Sequence, residues 1–181
     1  MSCVTPPSPV LTLLEDKTQE WRANGCLHRL DGPARIGVDG TTQEWFVDNQ
    51  RHRADGPALL VLNGVEEWWV HNMLHRLDGP AIIQPDGTRI WLFQNTFHCL
   101  SGPAVVEADG TEEWWAHGQR HRYDGPAVRC PDGYEEWWVD GHNITHCTAH
   151  QKLIHIRAYQ QARQAASRLD TLALLATEPE F

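Results

Sequence analysis

No stretch of this sequence approaches the roughly 18 consecutive apolar residues needed to cross a membrane, so no membrane association is expected. A basic segment followed by an apolar one is also missing from the N-terminus, which argues against a secretory signal. Cysteines are odd in number and lack any CxxC spacing: Cys3, Cys26, Cys99, Cys130 and Cys147 suggest neither a disulfide framework nor a Cys-based zinc site. They fit a reducing, cytoplasmic setting. Positive charge is scarce, with 15 Lys+Arg against 24 Asp+Glu, a net charge of -9. Coulomb repulsion therefore disfavours direct binding of nucleic acid. The deficit is uneven, since residues 142–181 carry +1 and the first 141 carry -10. Absent too are GxSxG, P-loop and GxGxxG motifs and any carboxylate pair with an evident cleft. No enzyme activity and no cofactor are expected.

What the chain has in excess is tryptophan, nine in 181 residues. Periodicity accounts for it. Trp21, Trp45, Trp68, Trp91, Trp114 and Trp137 are separated by 24, 23, 23, 23 and 23 residues. His28, His52, His75, His98 and His121 keep the same step, as do the Gly-Pro pairs that begin at Gly32, Gly56, Gly79, Gly102 and Gly125. The composite unit reads E-W-W-V-x-G-x-x-H-R-x-D-G-P-A-V-V-x-P-D-G-T-E. Five units run from about Gln19 to Gly133, and Glu135–Asp140 opens a sixth.

Each unit predicts two strands. The EWWV segment is aromatic and β-branched, and a second strand follows the proline, as in Ala58–Leu62. Asn24-Gly25, Gly118 and Asp140-Gly141 mark one turn; Asp39-Gly40, Asn63-Gly64, Asp86-Gly87, Asp109-Gly110 and Asp132-Gly133 mark the other. The expected fold is mainly β: an antiparallel hairpin array of five 23-residue units closed by a C-terminal α-helical cap. The expected layout is an N-terminal lead and edge cover over 1–18, repeats over 19–141 and an amphipathic helix within 142–181. The lead holds Pro6, Pro7 and Pro9 and then one short strand. The helix stripe is Ile154, Ala158, Ala162, Ala165, Leu169, Leu172 and Ala176, ended by Pro179.

The W-x-x-x-G and D-G-T-x-x-W spacings over about residues 19–141 resemble MORN-type repeats, in particular their shorter variant. The HRxDGPA element is not part of the usual MORN consensus. The resemblance implies a scaffold or interaction role, in some bacterial members beside toxin–antitoxin pairs, and it supplies no catalytic residues.

Repetition also decides what HRxDGP is for. A catalytic site is assembled once, whereas His28, Arg29 and Asp31 recur as His75, Arg76 and Asp78 and as His121, Arg122 and Asp124. That is the behaviour of a structural turn, with Arg paired to an Asp of its own or a neighbouring unit. In the EWWV strand the first Trp and the residue two later are assigned to the core face. The opposite face holds Phe46, Trp69, Leu92, Trp115 and Trp138, edged by Glu67, Glu113 and Glu136. Such a row is a candidate surface for a partner protein, or is covered by the C-terminal helix or by a second copy. A homodimer through the helix or this aromatic face is the corresponding alternative.

Unit four departs most: it reads IWLFQNTFHCLSGPA, with Cys99 for Arg and Ser101 for Asp. Between sheet and helix, His146, Cys147 and His150 are weak zinc candidates, because His146 and His150 would share a helix face. The function expected is non-enzymatic: occupation of a partner protein as an inhibitor, antitoxin-like neutraliser or adaptor. The rivals are an acidic mimic of nucleic acid and a structural homo-oligomer.

Overall fold

Turn chemistry shapes the whole molecule. The computed structural model describes residues 8–99 and 101–176, so Pro6, Pro7 and Pro179 lie outside the described residues. Its backbone is a 13-stranded antiparallel sheet, nearly all of it in sequential order, accompanied by five separate two-stranded hairpins. A single helix, Ala149–Ala176, follows.

From the second unit on, each unit uses four short strands where two were expected, because the EWWV segment does not run straight. In the first unit Gln19–Ala23 is one strand through Trp21. In the second unit Thr42–Glu44 belongs to the large sheet and Phe46–Val47 to a hairpin with Gln50–Arg51. Trp45, between them, belongs to neither strand. Its N–H donates to Ala58 O at 2.8 Å and its carbonyl accepts from His52 N at 3.1 Å. The first tryptophan is thus where the chain leaves one sheet for the other. Two adjacent indoles look like one continuous strand in sequence, which hides this bend.

Beyond the HRxDGP loop the chain re-enters the large sheet through an alanine. Ala34, Ala58, Ala81, Ala104 and Ala127 are each 0% exposed, whereas no large side chain among the described residues is fully buried. Each alanine N–H donates to the unit ahead, for example Ala58 to Glu67 O at 2.8 Å, while its carbonyl accepts from a tryptophan N–H. A methyl group fills this position, and anything larger would overpack it.

Both turns form where the sequence places them. At the hairpin tips both central residues have positive φ, as in His71 (48°) and Asn72 (62°), the geometry that matches the twist of a two-residue hairpin. At the other turn an Asp or Asn side chain accepts from the backbone two residues on, for instance Thr88 N to Asp86 Oδ1 at 2.8 Å, with glycine at positive φ behind it. Hairpins are also sewn to their predecessors. Asn49, Asn72 and Asn95 each accept a backbone N–H of the previous unit at 2.7 Å through Oδ1, from Leu27, Arg51 and Leu74.

At the N-terminal end Val10–Leu13 pairs with Gln19–Ala23 as the expected edge cover. At the C-terminal end His142–Asn143 still belongs to the last hairpin. Thr148 then caps the helix reciprocally: Gln151 N–H donates to Thr148 Oγ1 at 3.3 Å and Thr148 N–H to Gln151 Oε1 at 2.9 Å. The face that meets the body overlaps the expected stripe in part, and the side chains of Leu169, Leu172 and Ala176 lie outside the described ones. Lys152, Ile156 and Tyr159 are its half-buried positions, while Ile154 is 53% exposed. Ala158 and Ala162 do line the seam, opposite Val139 and Ile144. The alanine-rich pattern left the helix phase underdetermined, because alanine suits either face. No described helix is long and apolar enough to cross a membrane.

Candidate functional site

The HRxDGP element builds an arginine clamp, repeated with little variation. Arg29, Arg53, Arg76 and Arg122 place their guanidinium carbons 4.2, 4.1, 3.9 and 3.9 Å from the ring centres of Trp21, Trp45, Trp68 and Trp114. That is the geometry of a cation resting on the negative face of an indole. In each clamp Nε donates to the aspartate two residues on, at 2.8–2.9 Å, as Arg76 does to Asp78. Nη1 reaches the proline carbonyl, 3.3 Å away for Pro80. The glycine is required by crowding: a Cβ on Gly79 would lie 2.9 Å from the Arg76 guanidinium carbon. The charge of Arg29, Arg53, Arg76 and Arg122 in turn holds Asp31, Asp55, Asp78 and Asp124 below the usual carboxylate range, chiefly through these hydrogen bonds. His28, His75 and His121 sit one residue earlier, and each engages the next hairpin or the helix. His28 bonds Asp48 at 2.9 Å, His75 packs 4.7 Å from Phe93, and His121 lies 4.4 Å from Tyr159.

The sixth tryptophan of this row, Trp137, has no HRxDGP element after it. The helix supplies its cation instead: Lys152 Nζ lies 4.5 Å from the Trp137 ring centre. Among the described residues only Trp91 in the row carries no cation. Cys99 replaces its arginine and Ser101 its aspartate, while Gly102 faces open space, where an added methyl group would meet nothing within 4 Å. Beside it, between this unit and the preceding one, lies a cleft of about 800 Å³ bounded by Trp91, Phe93, Cys99 and Ser101, by Arg76, Leu77 and Asp78, and by His98 and His117. A cleft of about 810 Å³ recurs two units earlier, but there the Arg53 guanidinium lies on Trp45 and forms its floor. At Trp91, half-buried like Trp45, no cation lies on the ring among the described residues. Apolar groups stand at the rim, with Leu77 81% and Phe93 41% exposed.

The second tryptophan row is organised differently. The indole N–H of Trp69, Trp115 and Trp138 donates to Glu67, Glu113 and Glu136 respectively, each at 2.7 Å. Arg51 lies between Phe46 and Trp69, at 5.5 and 5.1 Å, and Arg120 between Trp115 and Trp138, at 5.3 and 5.6 Å. Phe97 stacks on Trp115 at 5.0 Å. Arg120 also pairs with Glu113 and Glu136 at 2.8 and 3.3 Å. Half-buried and interleaved, this row is a ladder within the molecule, and Leu92 is buried at 5% exposure. Lys152 and Tyr159 of the helix meet Trp137 and His121 on the clamp side. In unit four the two faces exchange roles: Leu92 is enclosed, and Phe93, assigned to the core face from sequence, is exposed.

His146 and Cys147 precede the helix, which begins at Ala149, so His146 and His150 do not share a helix face. Among the described residues no group of three or more His, Cys, Asp or Glu side chains is placed to hold a metal ion. The clamp itself was only half legible. Its Arg–Asp pairing follows from the motif, but the stacking on a tryptophan eight residues earlier depends on how the loop folds back over the strand, which the motif does not state. The joint loss of Arg and Asp in unit four was the available signal. No protein-family model and no curated protein matches this sequence.

Proposed function

We propose that this chain is a non-enzymatic repeat scaffold that acts by occupying a partner protein, with unit four as its contact point. One observation carries the reading. Along a row of six tryptophans the described residues place a cation on every ring but that of Trp91, which borders a cleft with Leu77 and Phe93 exposed at its rim. Aromatic and aliphatic side chains around a concave floor are the usual anchors of a protein interface. The second row, with Trp69, Trp115 and Trp138 tied to their own glutamates, contributes rigidity to the platform.

Site-specific photocrosslinking tests this. A benzophenone amino acid at Phe93 is expected to give a discrete crosslinked protein in extract of the native host. The same group at Leu62, which at 80% is more exposed than Phe93 and is far along the sequence from the cleft, is expected to give none of that species. Identical products from both positions, or none from Phe93, would reject unit four as the contact.

A second reading, a structural homo-oligomer, is favoured by Leu153 and Ile154, which are 43% and 53% exposed on the helix. Light scattering over a wide concentration range separates the two, since the scaffold reading expects a monomer.

A further inference from the structure

The clamp position over Trp91 lacks the arginine that the other HRxDGP units lay on their tryptophan. We infer that it accepts an arginine side chain of the partner protein, laid on Trp91 as Arg76 is laid on Trp68. This rests on the reading of unit four as the contact point.

Three observations converge on arginine. The cradle is intact: Trp91, Gly102 and the Pro103 carbonyl occupy the positions that hold Arg29, Arg53, Arg76 and Arg122 in the other units. The space is open, since a Cβ on Gly102 meets nothing within 4 Å, whereas on Gly32, Gly56, Gly79 or Gly125 it would meet the arginine at 2.9–3.0 Å. A tryptophan of this row also takes a cation from outside its own unit, since Lys152 Nζ of the helix lies 4.5 Å from the Trp137 ring centre.

Charge agrees with geometry. Ser101 stands where the other units have the aspartate that pairs with their own arginine, and Asp78 on the facing wall of the cleft is already paired with Arg76. Arg76, on the same wall, is engaged by Trp68, by Asp78 and by the Pro80 carbonyl. A net charge of -9 draws cationic partners towards the whole chain. Arginine fits the cradle better than lysine, because the planar guanidinium stacks flat on the indole while donating in its own plane to the Pro103 carbonyl.

The test uses the full chain and a small probe, N-acetyl-arginine methylamide, followed by NMR at the Trp91 indole N–H, assigned by its loss in Trp91→Phe. A saturable shift at millimolar probe is expected. The neutral citrulline analogue should bind at least tenfold more weakly. Cys99→Arg with Ser101→Asp, which fills the slot from within, should abolish the shift. No shift at Trp91, an equal response to citrulline, or undiminished binding by the folded double variant would overturn the inference. If the double variant does not fold, the arginine–citrulline comparison on the unaltered chain decides alone. Because no partner is needed, a crosslink at Phe93 without a probe response would remove the arginine assignment and leave the protein-binding reading standing.

Discussion

Arg76 is held from several directions: by the Trp68 ring, the Asp78 carboxylate, the Pro80 carbonyl and the bare backbone of Gly79. Removing any one should release the others. Arg76→Ala is therefore expected to destabilise by about 1–2 kcal/mol in urea unfolding, from lost cation–π contact and stem packing. Glycine gives a sharper contrast. Gly79→Ala should cost about 1 kcal/mol by displacing the guanidinium, whereas Gly102→Ala, in open space and without positive φ, should be neutral or slightly stabilising. Equal losses at the two positions would mean that the glycines serve the backbone and not the clamp. Histidines add a pH dependence. Burial first, and then the neighbouring His71 and His117, hold His52 and His98 below the ordinary histidine value. The ring centres of these pairs are 4.4 and 4.9 Å apart. The unfolded chain then binds more protons below about pH 6.5, so stability is full above that value and falls as the pH drops through it. Urea midpoints at pH 7.5 and 5.5 should show the decline, and His71→Gln with His117→Gln should flatten part of it.

Hairpins are the elements that sequence reading resolved least. Their tips were legible in Asn24-Gly25 and Asp140-Gly141, because such pairs tolerate positive φ. The same geometry at His71-Asn72 and Gln94-Asn95 carries no glycine and was not legible. What sustains it is the asparagine at the second position, which accepts the N–H of the previous hairpin while adopting the left-handed conformation that asparagine tolerates. Asn72→Ala should therefore cost about 1–2 kcal/mol, and Asn72→Gly clearly less, since Gly118 and Gly141 occupy the corresponding place in later units. A glycine variant as damaged as the alanine one would show that the stitch outweighs the backbone. Local pattern did predict the strands and turns of the large sheet, because each depends on a few adjacent residues. The helix phase and the bend at the first tryptophan depend on neighbours beyond the unit, and the clamp stacking on a fold-back over eight residues within it, and periodicity alone encodes none of these.

At the scale of the molecule, the array is a platform whose charged groups are largely spent on itself. Glu113 and Glu136 serve Arg120 and two indoles at once, and Glu44 pairs with Arg51 at 3.2 Å. An acidic mimic of nucleic acid would rely on those carboxylates, so Glu113→Gln with Glu136→Gln should abolish partner capture if mimicry is the mechanism. On the scaffold reading the same variants should lower the unfolding midpoint and leave capture by folded protein intact. The six-tryptophan row gives the account its centre: among the described residues five indoles are covered by a cation, and one, Trp91, is left uncovered in a cradle otherwise built for arginine. The most direct measurement is the unfolding free energy of Cys99→Arg with Ser101→Asp against the unaltered chain. A gain of about 1 kcal/mol is expected, the worth of one clamp formed in a cradle that is already there. No gain, or a loss, would contradict the claim that unit four keeps the arginine site without its arginine.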